Sequence, residues 1–185
     1  MLSKQKFRYF LLLALPMLLL LLGLGYYNYL QLSLAQQQAD IEEQWQHLEK
    51  EYEEQLGQLF KRAELLAQED RQAQKQLQLI RQKEQGLYEV DIESSSSLAD
   101  FAKTQEEIRL GFRQFIIDFE IPRLSSALED LQSSSQSQQK EYNDLIEHYK
   151  ELQQAFPYTL LQCSTPLYFE SYDPYGRPSE RYRLK

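Results

Sequence analysis

No charged residue stands between Tyr9 and Ala39, and no Asp or Glu precedes Asp40. That absence makes a soluble enzyme the poorer reading from the outset. Cysteine occurs once, at Cys163, which excludes an intramolecular disulfide. It leaves a thiol that either pairs between chains or sits as a small, partly buried apolar residue. Histidine occurs twice. His47 lies four residues after Glu43 and His148 three before Glu151, spacings that share a helix face and can seat a metal in principle. Glutamate is so frequent here that such pairings arise by chance, so a solvated helix face is the expected reading. Between Tyr26 and Phe156 the only glycines are Gly57, Gly86 and Gly111, and the only proline is Pro122. There is no glycine-rich phosphate loop and no Ser, Cys or Lys nucleophile in a motif with a partner histidine. Neighbouring carboxylates such as Glu42-Glu43 and Glu53-Glu54 diverge on a helix instead of converging. No catalytic residue, cofactor or metal is expected.

The uncharged stretch contains an apolar run, Tyr9 to Leu24, preceded by Lys4, Lys6 and Arg8 and followed by Tyr26, Tyr27 and Tyr29. A basic flank, an apolar core and an aromatic belt together describe a single membrane-spanning helix. Tyr9 to Tyr29 as a helix covers roughly 31 Å at about 1.5 Å per residue, the thickness of a bilayer core. Each central leucine favours insertion by roughly 0.3–0.6 kcal/mol, which outweighs Pro16 and two glycines. A cleaved signal peptide, with Ser33 and Ala35 at the −3 and −1 positions, is the alternative. The run is long for that, and the supposed cleavage site lies well past its end. No basic residue follows until Lys50, so the positive-inside rule puts the N-terminus in the cytoplasm and the rest outside it. The remainder, residues 31–185, carries 17 Lys and Arg against 28 Asp and Glu, a formal charge of −11. That acidity argues against nucleic acid and against a second contact with anionic headgroups.

Gln, Glu, Leu and Ala dominate after the span, and apolar residues recur at helical spacing. Ile41, Trp45, Leu48, Tyr52, Leu56, Leu59, Ala63 and Leu66 form one stripe on a long helix continuing from the span. Gln68–Arg71 is polar and predicts a turn. Leu77, Ile80 and Leu87 mark a second helix ending near Gly86. The serines of Glu93–Ser97 suit an N-cap. A third helix follows with Leu98, Phe101, Ile108, Phe112, Phe115, Ile116 and Phe119. Phe112, Phe115 and Phe119 read as core filling rather than a ligand slot. Pro122 ends that helix. The fourth carries Leu124, Leu128 and Leu131, then Tyr142, Leu145, Ile146, Tyr149, Leu152 and Phe156. Ser133–Gln139 between its halves lacks any apolar residue and reads equally as helix or loop. Pro157 stops the fourth helix. The parts are then residues 1–30 (flank and span), 31–157 (helical domain) and 158–185, a short aromatic, proline-containing tail. Its aromatics, Tyr168, Phe169, Tyr172 and Tyr175, are too many for a plain disordered end.

Tyr142-Asn143-Asp144, then Tyr149, Phe156-Pro157 and Tyr168-Phe169-Glu170, resemble the C-terminal signature of the LemA family. Those are bacterial proteins with a short N-terminal anchor and a helical-bundle domain. Leu124, Leu128 and Trp45 also fall at positions where the family has leucines and a tryptophan. The chain departs from the pattern in two places. Leu56-Gly57-Gln58-Leu59 stands near the family's Leu-Ile-Pro-Asn-Leu stretch, and Cys163–Leu167 replaces a basic, glycine-containing segment. A divergent member is implied. The resemblance implies an all-α fold: a single transmembrane helix continuing into an up-and-down antiparallel four-helix bundle, with Ser133–Gln139 helical. It also points to Tyr168-Phe169 docking near the end of the last helix, a tail kept for a partner being the alternative; Ser179–Lys185, polar, charged and terminal, should stay loose. It implies no enzymatic activity.

The expected role is a membrane-anchored interaction or scaffold module of the bacterial inner membrane. It meets the lipid bilayer through residues 9–29 and takes other envelope proteins, or a second copy of itself, as partners. A ligand-sensing or regulatory module controlling a membrane protease or transporter is the alternative. A filled, dry interior favours the first and a cavity with converging polar groups the second. A division-type coiled-coil dimer is disfavoured by Pro122 and the breaks.

Overall fold

The computed structural model describes residues 4–84, 87, 95–161 and 172, with backbone alone for 4–13, 95–97 and 160. Helices α1 (Lys4–Leu66), α2 (Arg71–Glu84), α3 (Ser95–Asp118) and α4 (Arg123–Gln154) account for most of them, and a 3-10 turn follows at Tyr158–Leu161. There is no strand among the described residues. Helix α1 runs unbroken through Pro16, so the apolar run and the first stripe belong to one rod about 95 Å long. The helix is long and apolar enough to cross a membrane. Leu15, Met17 to Leu22 and Leu24 are each more than half exposed, so this segment is not a buried core helix. Leu30 and Leu34 are the first buried positions.

Polar capping chemistry makes the first reversal. Asp70 Oδ1 accepts from the amides of Gln72 (2.7 Å) and Ala73 (3.2 Å), satisfying donors that the start of α2 leaves free. The turn expected at Gln68–Arg71 is therefore present, and Ala67 is buried where α1 ends. Leu66, expected in the stripe, is 45% exposed because the chain already turns there. Helix α3 begins at Ser95, earlier than the expected Leu98, and Glu93 and Ser94 lie outside the described residues.

The second reversal is a Schellman turn. The Ile121 amide bonds Ile116 O (3.0 Å) and the Glu120 amide bonds Ile117 O (3.4 Å), with Glu120 at φ 48°. Glutamate takes the left-handed position that glycine usually fills. Pro122 then opens α4, where its missing amide costs nothing.

Cross-contacts show the pairings. Gln38 meets Tyr149, Gln44 meets Gln138, and Gln55 meets Ser134, so α1 and α4 run antiparallel. Gln76–Asp118 and Lys83–Glu107 make α2 and α3 antiparallel. Arg81 Nη1 reaches Glu64 at 2.8 Å, joining α2 to α1. Gly111 faces Ile80 so closely that an added Cβ there meets Ile80 Cγ1 at 3.0 Å, which keeps α2 and α3 near each other.

The expected stripes fill one core. Ile41, Trp45, Leu48, Tyr52, Leu56, Leu59 and Ala63 of α1 are buried. So are Leu77 and Ile80 of α2, Leu98, Phe101, Ile108, Phe112 and Phe115 of α3, and Leu124, Leu128, Leu131, Tyr142, Ile146 and Tyr149 of α4. Leu87 is also buried. Ser133–Gln139 is continuous helix. Phe156 is a correction: it lies beyond the end of α4 and is 82% exposed, so it is not core. Pro157 follows it through a cis peptide bond.

Candidate functional site

An aromatic cluster sits midway along the domain. Trp45 from α1 meets Phe101 from α3 edge-on at 5.1 Å and Tyr142 from α4 at 5.5 Å. Tyr172 from the tail joins it, 6.4 Å from Trp45 and 6.2 Å from Phe101. Such offset and edge contacts suit the ring quadrupoles. Tyr172 is only 3% exposed. Asn143 holds its backbone from both sides: the Tyr172 amide donates to Asn143 Oδ1 (2.7 Å), and Asn143 Nδ2 donates to Tyr172 O (2.9 Å). One carboxamide here supplies the donor and acceptor that a neighbouring strand would otherwise provide.

Beside this cluster lies a cleft of about 130 Å³ that opens to solvent between α3 and α4. Tyr52, Gln105, Arg109, Gln132, Gln139 and Tyr172 are among the residues lining it. Its origin is legible in the helix register. On α3 the buried line runs Phe101, Gln105, Ile108, Phe112. On α4 it runs Leu128, Leu131, Gln139, Tyr142, with half-buried Ser135 between Leu131 and Gln139. Polar residues thus take one inward position on α3 (Gln105) and two successive ones on α4 (Ser135, Gln139), where apolar residues would close the bundle. Gln139 Nε2 donates to Ser135 Oγ at 2.9 Å. The Tyr172 hydroxyl donates to Gln105 Oε1. Gln105 Nε2 is the one fully buried side-chain polar atom among the described residues that has no partner.

On the rim, Arg109 donates to Glu106 from Nε (2.7 Å) and Nη2 (2.6 Å), a fork-shaped pair. Hydrogen bonding from Arg109, with its charge, holds the Glu106 carboxyl below the usual glutamate range against the opposing effect of burial. Burial raises the Tyr52 phenol well above its ordinary range, helped by the negative charges of Glu84 and Glu106.

A second polar set seams α1 to α4. Glu51 accepts from the Ser134 hydroxyl, from Gln138 Nε2 (2.8 Å) and from Gln55 Nε2 (2.9 Å). Gln44 Nε2 adds bonds to Gln138 (2.8 Å) and Glu141 (3.2 Å). This is what the apolar-free stretch does: part of it is interface rather than solvated face. His47 joins the seam, 3.6 Å from Glu51, and no cluster of three metal-ligating side chains occurs among the described residues.

The residues singled out from sequence divide. Trp45, Leu124, Leu128, Tyr142 and Tyr149 are buried in one core, and Asn143 is the clamp on Tyr172. Asp144 is exposed, and Pro157 sits half-buried past the helix. Tyr168, Phe169 and Cys163 lie outside the described residues. Sequence reasoning missed Gln105, Gln139 and Leu161, although a glutamine inside an apolar stripe is itself a signal. The chain is thus all-helical among its described residues, with one N-terminal helix suited to a membrane. No family model, curated protein or solved structure matches it.

Proposed function

We propose that the chain is a single-pass scaffold of the bacterial inner membrane, with its N-terminus in the cytoplasm and residues 31–185 outside it. The observation that carries this is the single helix α1. Its segment Leu15–Leu24 offers apolar side chains to the surroundings, and about six turns further on Trp45 is in the domain core. Exposed leucine in that density is stable only in lipid or against another apolar surface. A rod continuous from bilayer to core fixes the domain's position over the membrane, as a tethered interaction module requires. The domain is read as an up-and-down four-helix bundle of a divergent LemA-family member. Its acidic surface meets other envelope proteins rather than nucleic acid.

The topology is tested with Ser137→Cys, an exposed position on α4, in a Cys163→Ser background. An impermeant thiol reagent should label it in intact spheroplasts. Labelling only after lysis would overturn the orientation. Photo-crosslinking from the same helix in living cells then identifies the partner, and recovery of no partner but lipid would remove the scaffold reading. A ligand-sensing role is the second reading, and the polar cleft favours it.

A further inference from the structure

We infer that the cleft between α3 and α4 is a binding site for a small solute bearing a carboxamide or carboxylate oxygen, which accepts a hydrogen bond from Gln105 Nε2. Gln105 is 94% buried by virtue of its 6% exposure, lines the cleft, and has one end of its amide satisfied by Tyr172. The other end, a donor, has no protein partner. An unmade hydrogen bond of this kind is costly in a folded core, and leucine in the same register position would avoid that cost. Gln105 therefore breaks the pattern of its own stripe, as residues at binding sites do. The missing partner must be an acceptor. Glu106, kept ionised by Arg109, stands one residue on and offers an acceptor in return for a donor on the solute. Ser135, Gln132 and Gln136 supply further neutral polar contacts around the mouth. With about 130 Å³, the space holds about four waters or one small polar molecule. It is too small for a drug-sized or lipid ligand.

Tyr172 completes the site. Its hydroxyl takes up Gln105 Oε1, which leaves Nε2 as the unpaired end, and Asn143 holds Tyr172. Occupancy and tail docking are coupled through that chain of contacts.

The test uses the full chain, ¹⁵N-labelled, in detergent micelles, titrated with acetamide, acetate and L-glutamine, with propylamine as a solute that lacks an acceptor oxygen. The Gln105 side-chain NH₂ resonance should shift saturably with at least one oxygen-bearing solute and not with propylamine. Followed through the side-chain NH₂ resonance of Gln139, which also lines the cleft, Gln105→Leu should weaken binding about tenfold or more, the worth of one good hydrogen bond. Ser135→Leu, which keeps Gln105 and fills the cleft, should abolish the shift. No saturable shift with any of the three solutes would overturn the proposal, since water alone then fills the cleft. Equal shifts with propylamine, or unchanged affinity in both variants, would overturn it as well.

Discussion

Asn143→Ala should release the tail. The substitution removes two hydrogen bonds at 2.7 and 2.9 Å to the backbone of a residue that is 3% exposed. A hydrogen bond contributes about 0.5–1.5 kcal/mol net, and a buried group left unpaired costs about 1–3 kcal/mol. Leaving Tyr172 docked with both backbone groups unpaired thus costs roughly 2–6 kcal/mol on those figures. Undocking it instead forfeits burial of one large side chain, about 1.5–3 kcal/mol. It also recovers backbone entropy of about 1–2 kcal/mol for each residue freed. The cheaper route wins, so the tail leaves, and the loss of stability is capped near about 2–3 kcal/mol. Trp45 is the only tryptophan and its ring lies 6.4 Å from that of Tyr172, so its emission reports docking directly. Asn143→Ala should shift that emission to the red before any unfolding, and urea titration should give the stability loss. In a double-mutant cycle with Tyr172→Ala the two losses should overlap strongly, because the second change removes what the first already released. Losses that add within about 0.5 kcal/mol, with Trp45 emission unchanged, would refute the clamp.

Trp45→Ala should cost about 3–5 kcal/mol, the usual penalty for emptying a buried aromatic site, read from urea unfolding followed by far-ultraviolet circular dichroism. Glu120→Gly should stabilise by about 0.5–1 kcal/mol, since φ 48° strains a side chain that glycine lacks; a lower melting temperature would show that Glu120 has another role. Glu106, whose carboxyl is held below its ordinary value of 4.5, contributes stability that is present above that value and is lost as pH falls through the folded value. Glu106→Gln should therefore flatten the fall of melting temperature below pH 4.5, and an equally steep acid transition would show that the Arg109 pairing is not coupled to folding.

The helices were legible because burial follows a 3.6-residue period and few residues interrupt it. Pro122 and the polar stretch around Asp70 marked reversals by local chemistry alone. Phe156 misled because it fits the α4 spacing, yet the residue before a proline is pushed out of helical geometry and the stripe ends one turn earlier. The Schellman turn at Glu120 was hidden because it lacks the glycine that usually announces one. Ser133–Gln139 is ambiguous in sequence because it contains only Ser and Gln and so carries no hydrophobic period. Ser135 and Gln139 keep the register but fill it with polar atoms, and only the facing helices reveal that they are inside. The tail's excess of aromatics argued against a plain disordered end without choosing between docking and a partner. That Tyr172 docks depends on Asn143, 29 residues away, a pairing no local pattern encodes.

Geometry also decides what kind of molecule the cleft meets. With residues 9–29 in the bilayer, as proposed, Trp45 lies about 24 Å and Tyr52 about 35 Å beyond Tyr29 along the helix axis at 1.5 Å per residue. Transmembrane helices tilt by up to roughly 40°, which shortens those heights by no more than about a quarter. The cleft stays beyond the headgroup layer and beyond about two Debye lengths of its surface charge at physiological salt. A lipid headgroup therefore cannot reach Gln105, whereas a dissolved solute can. Trp45 packs on Tyr172 and belongs to the same unbroken rod as the membrane segment. On the proposed topology, the docked Tyr172 is accordingly held at a fixed height above the bilayer.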